Sequence, residues 1–180
     1  MAGIDETYAR ATRSSDLKLS EHRSGDADTL IAAGLVRDGI GVDLLRLRAD
    51  YDSVSGLPGG RKALALLRRM SPTLERLMAF ADDLATSKRF DFTAADLRAV
   101  VVQVLDLYLD PNCPPCAGTG LVGDYGTVRN TCPACRGAKT RNLYWVNSDV
   151  ARFAQVLRVR MDEKTDMARR RMQRLLRDKL

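Results

Sequence analysis

The chain has 180 residues, 45% apolar and 6% aromatic, enough for one sizeable core, and no apolar run near the ~20 residues of a membrane span. One histidine, four cysteines and no G-x-S-x-G or G-x-x-x-x-G-K-[ST] motif leave nucleophilic and phosphoryl-transfer catalysis without their parts, so no enzyme is expected. Twenty-nine Lys and Arg stand against 23 Asp and Glu, a net charge of +6 whose placement matters more than its size.

Residues 1–25 are polar, with Ser14-Ser15 and Ser24-Gly25, and read as a flexible arm carrying the lone His22. Met1-Ala2-Gly3-Ile4-Asp5-Glu6 has no apolar signal core, so an intracellular chain is expected. Residues 26–110 read as a helical body. Short helices are predicted over Asp26 to Val36 and Val42 to Tyr51, separated by Asp38-Gly39-Ile40-Gly41. The pair permits a helix-turn-helix reading, although a plain helical hairpin is the commoner outcome. Ser53 to Gly60 is broken by Gly and Pro and reads as a connector. A helix over Arg61 to Met70 follows, and Ser71-Pro72 supplies an N-cap and first-turn proline for another running to about Thr86. Thr93 caps the next, with Asp96 in its first turn, and Leu97 to Leu109 is apolar nearly all round, as a central core helix would be.

Asp110-Pro111-Asn112 ends that helix and delivers the chain into a ribbon over residues 111–142. Cys113-Pro114-Pro115-Cys116 and Cys132-Pro133-Ala134-Cys135 hold all four cysteines. Each C-x-x-C turn places two thiolates on one edge of a tetrahedron, so the four would bind one Zn²⁺ with no position open for water, a structural metal. Glycines follow each turn, at Gly118 and Gly120 and at Gly137, where the chain must bend with φ > 0. Leu121-Val122 and Thr127-Val128 flank Gly123-Asp124-Tyr125-Gly126 as two short strands around a tight turn. Disulfides would need an oxidising compartment, and a redox C-x-x-C would sit beside a βαβ pattern that is missing here.

In residues 143–180, Leu143 to Val146 are large apolar residues expected to pin the ribbon's base. Asn147-Ser148-Asp149 then caps a last helix, along which Val150, Phe153, Leu157, Met161, Ala168, Met172 and Leu175 recur at helical spacing, broken by Lys164. The expected architecture is mainly α, a helical bundle body with a small zinc-clipped β-ribbon inserted before a long basic C-terminal helix. From Ala151 to Leu180, ten Lys and Arg face four Asp and Glu, a surplus equal to the charge of the whole chain. Such a helix is the footprint of phosphate contact or of a strongly acidic partner; a solvated face is the plain alternative. Arg169, Arg170, Arg171 and Arg174 on this helix, with Arg129, Arg136, Lys139 and Arg141 beside the metal, are the candidate nucleic-acid contacts.

Cys113 to Gly120 is similar to the cysteine-rich repeat of DnaJ-type co-chaperones, which the second cysteine turn follows apart from its last glycine. Those proteins carry more repeats and a second metal, and a J-domain His-Pro-Asp that this chain lacks. Over a longer span, roughly Met70 to Arg160, the chain resembles the lambdoid-phage Q-type antitermination family. Leu77-Met78-Ala79-Phe80-Ala81, Val102-Gln103-Val104-Leu105 and Cys113 to Gly120 stand in the family's order. That resemblance implies a phage late-gene regulator in the bacterial host cytoplasm, which binds double-stranded promoter DNA and bacterial RNA polymerase and carries it through terminators. It implies no membrane and no small-molecule substrate. A zinc-ribbon adaptor or DnaJ-like chaperone partner without DNA binding is the alternative.

Overall fold

The computed structural model describes residues 4–11, 26–36, 39–53, 59–123, 130–141, 145 and 147–177. Their elements are α1 (Ile4–Ala11), α2 (Asp26–Leu35), α3 (Gly39–Ser53), α4 (Gly59–Ser87), α5 (Ala94–Leu109), β1 (Leu121–Val122), β2 (Asn130–Thr131) and α6 (Ser148–Arg177), with a 3₁₀ turn at Pro114–Cys116. The fold is mainly α with one small antiparallel sheet, as expected. No helix among the described residues is long and apolar enough to cross a membrane. The chain divides into two compact units, Met1–Leu84 with Arg158–Leu180, and Ala85–Leu157.

In the first unit, α1 corrects the reading of residues 1–25 as an arm throughout. Tyr8 and Ala11 lie on one face of this short helix and are buried, and α1 packs on both α2 and α3. The polar average of the first 25 residues concealed this, because only a few side chains in that stretch need burying. Residues 12–25, His22 among them, lie outside the described residues. A core forms from Tyr8, Ala33, Val36, Leu45, Ala168 and Met172, with Val42 and Leu175 against it.

Gly39 and Gly41 do not separate two helices; they lie in the first turn of α3. Gly41 is needed there for space. A Cβ at this position would collide with the Lys164 carbonyl of α6 and sit 3.1 Å from the Ala168 Cβ. Nearby, the Asp43 carboxylate bonds the Arg76 guanidinium at 2.9 Å and joins α3 to α4. Burial pushes the Asp43 carboxyl above its usual range, against the opposing pull of Arg76 and Arg46.

Another correction concerns Ser71-Pro72, which does not start a helix. α4 runs unbroken from Gly59 to Ser87 with Pro72 inside it. Proline removes a single ladder donor at a cost of about 3 kcal/mol, which the burial of Thr73, Leu77, Ala81 and Leu84 on the following turns offsets. α4 ends in a left-handed residue, Arg89, with Phe90 N–H donating 2.9 Å to the Ala85 carbonyl. This is a glycine-type helix stop built on arginine.

In the second unit, α5 buries Leu97, Val100, Val101, Val104, Leu105, Leu107 and Leu109 and exposes Arg98, Val102, Gln103 and Asp106. Thr93 caps it as predicted, its Oγ1 accepting from Asp96 N–H at 3.2 Å. Phe90 and Phe92 precede α5 and close on Phe153 of α6, with ring centroids 5.3 and 5.1 Å from it. Asn147 stands just before α6, its side chain accepting from Asp149 N–H at 2.8 Å.

The buried stripe of α6 is more continuous than its apolar residues suggest. Thr165 fills the gap, 1% exposed, with its hydroxyl turned back onto the Met161 carbonyl at 2.8 Å.

Candidate metal centre and basic faces

The cysteine ribbon is built from two equivalent halves offset by nineteen residues. Cys113 pairs with Cys132 and Cys116 with Cys135, each across that same separation. The backbone obeys the same relation. Cys132 N–H donates to the Gly120 carbonyl and Cys113 N–H to the Lys139 carbonyl, both at 2.9 Å, so the last residue of each half holds the first cysteine of the other. Leu121 bridges Thr131, and Thr140 bridges Asn112, again one relation applied twice.

Three left-handed positions repeat in step: Ala117 with Arg136, Gly118 with Gly137, and Gly120 with Lys139. The second half therefore keeps the conformation of the missing glycine at Lys139 (φ 68°), at a backbone cost of order 1 kcal/mol. Glycine at Gly118 is favoured by its positive φ of 78°; an added Cβ would also push aside Asn112 Oδ1, 2.7 Å away.

The second strand is a correction to the expected hairpin. β2 is Asn130–Thr131, paired Leu121 to Thr131 and Val122 to Asn130, because Cys132 N–H must reach the Gly120 carbonyl. Thr127-Val128 lies outside the described residues.

All four sulfurs lie within 4.8 Å of one another and all four cysteines are buried. Separations of 3.9 Å for Cys113 with Cys132 and 3.7 Å for Cys116 with Cys135 are too long for disulfides, which need about 2.05 Å. Four thiolates about 2.3 Å from a central ion stand roughly 3.8 Å apart, close to the spacing of these two pairs. The cluster can hold a metal ion. Burial, and the thiols of Cys116, Cys135 and Cys132, push the Cys113 thiol up to about 12. Burial acts the same way on Cys116, but the Gly120 N–H at 3.3 Å and the neighbouring thiols outweigh it and bring Cys116 down to about 7.

Arg141 fastens the ribbon to α5. Its guanidinium bonds Asp106 at 2.5 Å, Asp110 at 3.2 Å and the Asn112 carbonyl at 3.3 Å. Its backbone N–H donates to the Pro111 carbonyl at 2.9 Å. Arg141 is a candidate phosphate contact in the sequence; its charge is balanced by Asp106 on α5 and by Asp110 just past its end. Arg141→Ala is expected to lower stability by about 1 kcal/mol, since Asp106 is largely exposed, while leaving metal stoichiometry unchanged. Hydrogen exchange at Cys113 and Arg141 would check this, faster in the variant with the metal still bound.

The other cationic candidates divide in two. Arg169 pairs with Asp166 at 2.6 Å on its own helix. Arg171 is exposed and has a partner. Arg136, Lys139, Arg170 and Arg174 are exposed and make no ion pair among the described residues. Arg129 lies outside the described residues. Two residues that sequence reasoning passed over, Gln173 and Arg177, join Arg170 and Arg174 around one open depression. The i, i+3, i+4, i+7 rule that finds an apolar stripe would have found this polar one.

Family models, curated proteins and solved structures yield no match to this chain. The functional reading rests on the site itself and on the resemblance of its motifs.

Proposed function

We propose that this chain is a phage late-gene transcription antitermination factor, which binds promoter DNA and bacterial RNA polymerase in the host cytoplasm and carries the enzyme through terminators. The observation that carries the nucleic-acid part is a grouping of exposed cations with no ion pair among the described residues: Arg136 and Lys139 on the ribbon, and Arg170, Arg174 and Arg177 on α6. Arg76, Arg141, Arg152, Arg160 and Arg169 pair with carboxylates. The first five make no ion pair among the described residues and are grouped on two elements, the ribbon and the end of α6, which suits ligands that bring their own negative charge.

The metal in this reading is one structural Zn²⁺ on Cys113, Cys116, Cys132 and Cys135. Four thiolates in a buried, closed set suit zinc and leave no position for a substrate. Zinc would fix the ribbon, and the ribbon would hold its two cations at a set spacing. The polymerase part rests on the motif order of the Q-type family.

The test is a pull-down of purified bacterial RNA polymerase by the full chain, alongside terminator read-through in a reconstituted transcription reaction. Polymerase retained at moderate salt, with read-through raised several-fold, is the expected outcome. No retention and no read-through would defeat the proposal. Retention without duplex binding even at low salt would favour a protein-interaction adaptor.

A further inference from the structure

We infer that the last two turns of α6 form a major-groove reading face, with Arg170, Arg174 and Arg177 on phosphates or guanine and Gln173 as a base-reading residue. This rests on the nucleic-acid reading above and assigns it a surface.

The four residues form one stripe. At about 100° per residue they span roughly 100° of the helix circumference, on the side opposite buried Ala168 and Met172 and half-buried Leu175. Packing within the first unit therefore fixes their direction, since the other face is held by Tyr8, Ala33, Val36 and Leu45. All four are exposed, and they line one open depression on the helix surface.

Helix stability does not explain the stripe. Arg170 and Arg174 are four apart and Arg174 and Arg177 three apart, so like charges face each other where a stabilising design would alternate them. One turn earlier the same helix does alternate. Glu163 bonds Arg160 and Asp166 bonds Arg169, both at 2.6 Å, and no carboxylate follows Asp166 among the described residues of the helix. Favourable interaction with the helix C-terminus explains cations in the last turn, Arg174 and Arg177, but not Arg170.

Gln173 separates duplex DNA from an acidic protein partner. It is neutral, and it sits between arginines in the row. A carboxylate-rich surface would be served better by a fourth cation, whereas a glutamine amide offers a paired donor and acceptor that match the major-groove edge of adenine. The dimensions also agree. Arg170 and Arg177 are about 10.5 Å apart along the axis, against a major groove about 12 Å wide, so the outer arginines can reach phosphates on either side of Gln173.

The test measures binding of the full chain to a mixed-sequence duplex by fluorescence anisotropy across a salt series, then selects from a randomised duplex library. Variants are Arg170→Gln, Arg174→Gln and Arg177→Gln, singly and combined, their Lys counterparts, Gln173→Ala, and Arg160→Gln as a control. Circular dichroism confirms that each remains helical. Each Arg→Gln change should lower affinity and reduce the slope of log K against log salt by about 1, with Lys restoring the slope at any phosphate contact and Arg160→Gln leaving it unchanged. Gln173→Ala should keep the mixed-sequence affinity and slope while losing roughly ten-fold or more of the preference at one adenine position. If the chain binds duplex but the triple variant keeps the wild-type slope, this assignment fails and the nucleic-acid reading stands on other residues. If Gln173→Ala selects the same sequences as wild type, the base-reading role fails. If the wild-type chain binds no duplex at low salt, the nucleic-acid reading itself fails, and binding of polyglutamate through the same arginines would assign the stripe to an acidic protein.

Discussion

Stripping the metal from the intact chain is expected to unfold residues 111–141. Among the described residues, little besides the Arg141 bonds holds the ribbon. Its sheet is two residues by two, and its hydrophobic cluster among the described residues is the four cysteine side chains with Val122 against them. Ala117, Arg136 and Lys139 are non-glycine residues held left-handed, so the backbone has somewhere easier to go once the sulfurs part. The apparent contribution of a structural zinc in such modules is about 10–16 kcal/mol at neutral pH, well beyond what two strand pairs supply. Hydrogen exchange after chelation should show loss of protection at Cys113, Gly118, Thr119, Cys132 and Ala138, whose N–H groups bond within the ribbon. Amides of α2 and α3, in the other unit, should keep theirs. Reloading should be weaker at lower pH. The thiols of the unfolded ribbon, no longer buried, hold their protons at and below neutral pH, with the usual pKa of about 8.5, and the metal must displace them. Retained protection in the chelated protein would mean the ribbon has a core of its own.

Gly41→Ala and Gly34→Ala should shift stability in opposite directions. Both glycines lie in helices, where replacing Gly by Ala ordinarily gains about 0.5–1 kcal/mol. At Gly34 an added Cβ meets nothing within 4 Å among the described residues, so that gain should appear in full. At Gly41 the Cβ would run into the Lys164 carbonyl, which is backbone and cannot rotate away, with Ala168 behind it. Overpacking of this kind costs about 1–3 kcal/mol, and the helix gain recovers part of it. The net expectation is a loss of about 1–2 kcal/mol for Gly41→Ala and a larger loss for Gly41→Val. Denaturant midpoints of the three variants against wild type would settle it, and a stabilised Gly41→Ala would show that α3 and α6 do not cross at this point.

These glycines also mark what could be read from the sequence. The metal module was legible because its information is local: C-x-x-C spacing and following glycines describe a turn completely, down to positive φ at Gly118, Gly120 and Gly137. Thr93 and Asn147 were legible for the same reason, each capping a helix within three residues of itself. Gly41 was misread as a turn because its reason lies over a hundred residues away, on α6. Arg141 looked like a free cation beside the metal, since Asp106 and Asp110 come close only after the ribbon folds back on α5. The nineteen-residue equivalence was half visible. Cysteines and glycines announced it, but Lys139 in place of glycine hid that the backbone repeats where the residue does not. Thr165 was passed over in the α6 stripe because a hydroxyl reads as polar until it is turned onto its own helix.

The claim under all of this is that the two halves of residues 111–141 close around a single structural ion. Native mass spectrometry of the intact chain, with elemental analysis of the same sample, tests it most directly. One zinc per chain is expected, retained in Arg141→Ala and lost in Cys113→Ser and in Cys132→Ser, one cysteine from each half. A folded, metal-free chain, or a zinc that survives loss of Cys132, would contradict it.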